Sequence, residues 1–115
     1  MFSKELKIDH YVLDKKNKVQ QITPAMILEQ YQCELAGAEC YKPIIITKDI
    51  VVNNLKFRDR GFETYQLNHA LVSILGEGVA LFIDTTHLGL VLHIHTLQDY
   101  IKLMTGDDLI YHDVI

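Results

Sequence analysis

The sequence predicts an α+β domain in which an antiparallel meander is covered by about three short helices, with a β-hairpin at the N-terminus. Three observations carry this. Phe62 to Ile94 breaks into strand-like apolar runs separated by short polar turns. Two Thr-led segments and a third near residue 96 show apolar residues at helical spacing. No Ser-, Pro- or Gly-rich linker, low-complexity stretch or internal repeat divides the 115 residues, so residues 1–115 read as a single α+β domain.

His10–Leu13 and Val19–Ile22 are short β-prone runs around Asp14-Lys15-Lys16-Asn17-Lys18, a polar, Asn-containing loop that suits a hairpin. Thr23-Pro24 starts a helix over 24–32, with Thr as N-cap and Pro at the first helical position; Met26, Ile27 and Tyr31 form its apolar stripe and Gly37 ends the segment. Tyr41–Ile46 is β-branched and brief, an extended segment whose Pro43 confines its start to an edge. Thr47 caps a second helix over 47–57 with Asp49 in its first turn and Ile50, Val51 and Leu55 on one face.

The meander follows as Phe62–Leu67, Leu71–Leu75, Val79–Asp84 and Leu88–Ile94. Asn68-His69, Gly76-Glu77-Gly78 and Thr85-Thr86-His87 connect them, the glycine pair supplying residues that tolerate positive φ. Thr96-Leu97-Gln98-Asp99 resembles a capping box, and Leu97, Tyr100, Ile101 and Met104 lie along one face before Gly106 ends the last helix, 96–105. Leu97, Ile101 and Met104 are therefore expected against the sheet.

Composition narrows the function classes. Eleven Lys and Arg stand against 15 Asp and Glu, and a net charge of −4 argues against a sequence-independent grip on nucleic acid. Residues 61–115 hold one basic and seven acidic side chains, so the second half is the acidic one. The apolar runs are far shorter than the ~20 residues that cross a bilayer, so no membrane segment is expected. Cys33 and Cys40 have no second pair and the start does not resemble a signal peptide; both cysteines read as structural thiols in a cytoplasmic protein.

Ile94-His95-Thr96-Leu97-Gln98 followed by Leu103-Met104-Thr105-Gly106-Asp107-Asp108-Leu109 resembles the close of a family of small uncharacterised proteins of gut bacteria and their phages, which shows Val-His-Gln-Leu-Gln and then Leu-Thr-Gly-Glu-Glu-Leu. Tyr41–Thr47 and the N-terminal hairpin are similar to that family more weakly. The resemblance implies a phage association and no activity.

The residues that could carry chemistry are few. His93-x-His95 would share one face of an extended strand, with Asp84 and His87 on the preceding strand and turn; two His and a carboxylate form a ligand set for zinc or non-haem iron, against the blander reading of half-exposed strand-end histidines. The His-x-Thr signature of two-histidine phosphoesterases fails on spacing, since Thr96 adjoins His95. Ser3, Ser73 and Cys33 lack a nucleophile's context, and Gly76-Glu77-Gly78 is no phosphate loop. Lys15, Lys16 and Lys18 make the one basic cluster. The reading is a non-enzymatic binding or interaction protein, phage-encoded in origin, that sequesters a small nucleotide-like ligand or binds a host protein, with His87, His93, His95, Lys15, Lys16 and Lys18 as candidate ligand contacts and no cofactor or metal. The alternative is a metal- or histidine-dependent hydrolase using Asp84, His87, His93 and His95. Apolar residues at both alternating positions of Ala70–Leu75, Val79–Ile83 and Leu88–Leu92 ask for cover on both sheet faces, which predicts a homo-oligomer unless the N-terminal hairpin and Tyr41–Ile46 provide it.

Overall fold

A computed structural model describes residues 2–75, 78–84 and 86–112. The fold is α+β, with a three-stranded and a five-stranded antiparallel sheet. The chain divides into two compact units, residues 1–44 and 45–115, each described by itself. The boundary falls inside the Tyr41–Thr47 run, where no change of composition marks it.

In the first unit β1 (Tyr11–Leu13) and β2 (Val19–Gln21) form the expected hairpin, in register Tyr11↔Gln21 and Leu13↔Val19. Asp14 organises its tip: one carboxylate oxygen accepts the Lys16 and Lys18 amides and Asn17 takes φ 60°. β3 (Lys42–Pro43) joins the other edge of β1. Between them α1 (Pro24–Leu35) begins where Thr23 accepts the Met26 amide, and Gly37 follows its end at φ 75°. The stripe differs from expectation. Gln30 is buried while Tyr31 and Leu28 are exposed. The reason is polar rather than apolar: Gln30 Oε1 accepts the Cys40 and Tyr41 amides and its Nε2 donates to Glu34, so the side chain spans the helix and the returning chain. Leu6, Val12, Ile22, Cys40 and Tyr41 form the core beside it.

Cys33 and Cys40 are not separate thiols as the sequence reading had them; they are joined in a disulfide. The reversal at Ala36–Gly37 brings their Cα atoms to 6.1 Å, within the span a disulfide bridges.

In the second unit Thr47 caps as expected, its side chain accepting the Ile50 amide and its carbonyl the Val51 amide. The turn then widens into a π-helical segment, Ile50–Asn54, closed by Leu55 N–H to Ile50 O at 2.9 Å. Val51 and Leu55 are fully buried. The five-stranded sheet runs in chain order through β4 (Arg58–Gly61), β5 (Thr64–Leu67), β6 (Ala70–Leu75), β7 (Gly78–Ile83) and β8 (Thr86–Val91). β4 lies beyond the expected helix end at residue 57, where Arg58-Asp59-Arg60 offers no apolar alternation to signal a strand; it is an exposed, charged edge strand. Phe62 and Glu63, expected to open a strand, form the turn instead, both at positive φ as a tight two-residue hairpin connection requires. Gly76 and Glu77 of the next hairpin, and Thr85 after it, lie outside the described residues.

Tyr65, Val72 and Leu81 stand opposite one another on one sheet face and are fully buried. α2 (Ile94–Thr105) ends at Gly106, which takes φ 76°, but starts two residues before the expected Thr96-led capping box, with His93 as N-cap. Burial decides this: Ile94, His95, Leu97 and Ile101 are buried, and a start at Thr96 would leave the first two outside the helical face. Met104, expected in the same stripe, is 48% exposed, whereas Leu109, beyond Gly106, is buried and lines one hollow with Ile101 and Thr105. No described helix is long and apolar enough to cross a membrane.

Candidate functional site

The site grows out of one irregularity in the β7–β8 ladder. Leu81 pairs with Gly89 and Phe82 with His87, so Leu88 is an extra residue on β8, a bulge with Gly89 at φ 118°. In an uninterrupted ladder Leu88 would face Phe82, and His87 would turn to the opposite, buried face with Ile83. The bulge shifts that parity. His87 instead lies against Phe82, ring centroids 4.8 Å apart and planes inclined at 29°. The same cross-strand row continues through Leu71 and Gln66 to Arg58 on the edge strand.

At the end of this row two turns are tied together. The Asn68-His69 turn and Asp84, which follows β7, both use positive φ, at Asn68 and Asp84. Asp84 N–H donates to His69 O at 3.1 Å, and the Asp84 carboxylate lies 2.7 Å from His69 Nδ1. A carboxylate only accepts, so Nδ1 carries the proton and Nε2 is left for another partner. Gln66 Nε2 donates to Asn68 O at 2.9 Å and stiffens the near wall. Gln66, Asn68, His69, Leu71, Phe82 and Asp84 line an open hollow of about 350 Å³, a volume at the lower end of small-molecule sites. Leu71 and Phe82, half-buried, make its floor; His69 and Asp84 stand exposed at its rim.

Of the residues named from the sequence, Asp84 and His87 belong to this region. His93 and His95 do not join them. They lie beyond the other end of β8, about 20 Å along the strand from His87 at strand rise, where their rings stack on each other at 5.5 Å in the first turn of α2. Asp84, His87, His93 and His95 therefore form no common centre, and among the described residues no group of three or more His, Cys, Asp and Glu is placed to hold a metal. Lys15, Lys16 and Lys18 stay exposed on the hairpin tip of the first unit.

The residues that sequence reasoning missed are His69, Gln66 and Phe82. A signal existed for one of them: His69 sits in the turn before β6, and the meander's antiparallel order alone brings that turn beside the end of β7. The bulge that recruits His87 had a weaker trace in Gly89, a glycine inside a strand run.

Compared with known proteins, the chain matches no family model, no curated protein and no solved structure.

Proposed function

We propose that this is a binding protein that captures a small planar ligand on the outer face of its five-stranded sheet. The observation that carries the reading is the Leu88 bulge, which sets His87 on Phe82 beside the hollow; bulges that re-aim a side chain recur next to functional sites. The nucleotide-like ligand expected from the sequence becomes, on this reading, a ring that stacks on Phe82 and meets polar groups at the rim. The test is NMR titration of the isotope-labelled chain with a library of small aromatic heterocycles. Supporting data are concerted shifts at Gln66, Leu71, Phe82 and His87; shifts elsewhere, or none, overturn the reading.

A second reading, histidine-dependent hydrolysis, draws on the His69–Asp84 contact, an imidazole oriented by a carboxylate as in general acid–base catalysis. Turnover of an aryl ester or phosphoester that disappears in His69→Ala would establish it.

The proposal extends to partners and setting. Leu90 and Leu92 expose apolar side chains along and beyond β8, a patch that a second copy of the chain would cover. A phage origin with a host component as target rests on the resemblance of residues 94–109. A cytoplasmic setting is retained, although the Cys33–Cys40 bond weighs against it, since thiols there are kept reduced.

A further inference from the structure

Deepening that reading, and resting on it, we infer that the hollow selects uncharged nitrogen heterocycles of the nucleobase or nucleoside type and discriminates against their phosphorylated forms. His69 and Asp84 are the ionisable groups among the described lining residues, and none of these is Lys or Arg. A phosphate entering with the ring would meet the Asp84 carboxylate and find no Lys or Arg in the wall.

The surrounding unit adds to this. Residues 45–115 hold five Lys and Arg against nine Asp and Glu, so the whole net charge of the chain lies there, and the first unit is balanced. Arg58, in the same cross-strand row, stands beyond Gln66 on the edge strand and is not part of the lining.

The rim is instead suited to a neutral polar edge. Asp84 accepts and so favours a ligand bearing NH₂ groups. The Gln66 side-chain oxygen adds a second acceptor, because its amide nitrogen donates to Asn68 O. Two acceptors over an apolar floor match the exocyclic amino group of an amino-substituted heterocycle. Phe82, with Leu71 beside it, offers the stacking surface and His87 extends it.

The experiment titrates the full chain with adenosine, cytidine and their 5′-monophosphates, followed by NMR. Both nucleosides are expected to perturb Leu71, Phe82 and His87 and to bind about three- to tenfold more tightly than the monophosphates, the range set by one carboxylate facing a phosphate across solvent-exposed distances. Asp84→Asn should close most of that gap, and added salt should narrow it. Phe82→Ala should weaken nucleoside binding by about tenfold or more; because Phe82 is half-buried, His87→Ala, at an exposed position, serves as the second variant and should weaken it several-fold in a chain that stays folded. Tighter binding of the monophosphates, lost in Arg58→Ala, would overturn the selectivity and leave the binding site standing. Absence of any perturbation in the hollow by all four compounds would overturn the site itself.

Discussion

At the level of single residues, the first unit depends on a buried polar chain that hydrophobic patterning does not display. Glu34 accepts from both the backbone amide and the hydroxyl of Ser3 and from Gln30, which in turn holds the Cys40 and Tyr41 amides. The Ser3 hydroxyl, and to a lesser degree the Gln30 amide, hold the Glu34 carboxyl below its ordinary value of 4.5. Asp14 is likewise lowered, chiefly by the Lys18 amide. A carboxyl held low in the fold stabilises it while ionised, with the full contribution present above the unfolded value and lost as pH falls through the folded one. Thermal melts between pH 7 and pH 3 should therefore show the first unit weakening below the ordinary carboxylate range, and Glu34→Gln should flatten part of that slope; an unchanged slope would mean that the Ser3 contacts do not persist in solution. Tyr41 moves the other way, its hydroxyl pushed up by burial and by the Glu29 carboxylate it donates to.

Among elements, α2 and the disulfide make contrasting demands. Leu97 and Ile101 pack into the core, so replacing either with Ala should cost about 2–5 kcal/mol in chemical denaturation, whereas Met104→Ala, at a half-exposed position, should cost less than about 1 kcal/mol. Equal costs at all three would place Met104 back in the stripe. The Cys33–Cys40 bond closes a short loop at the end of α1 in a unit of 44 residues, a size at which a core rarely suffices alone. The double variant Cys33→Ser/Cys40→Ser should lose about 2–3 kcal/mol, the loop-closure value for so short a loop. Addition of reductant to the native chain should lower its denaturation midpoint in the same direction, and an unchanged midpoint would show that the bond contributes nothing.

For the whole molecule, the question is what covers the outer sheet face. Leu81, within one of the apolar runs, is fully buried in the inner row, so Leu81→Asp tests folding. Leu90, 69% exposed on the opposite face, is the proper probe. Light scattering at micromolar concentration should give about twice 13.2 kDa for the native chain and 13.2 kDa for Leu90→Asp, with circular dichroism unchanged. A native mass of 13.2 kDa would remove self-association from the proposal.

What the sequence determined by itself is the set of elements whose signals are local. The Thr23-Pro24 start, the Thr47 cap, the Gly106 stop and the apolar runs of β6 and β7 each follow from steric and hydrogen-bonding preferences that act within a few residues. Gln30, β4 and the candidate site were decided elsewhere. Gln30 is buried because two amides 10 and 11 residues away need an acceptor. β4 carries no apolar mark because it is an edge whose strand character comes from pairing with β5. His69 meets Asp84 across 15 positions through the register of β6 on β7, and a single extra residue, Leu88, reverses which face His87 occupies. Side-chain parity along a strand has period two, so one inserted residue changes a face. Only the paired sheet, where Leu88 has no partner, records that the insertion exists.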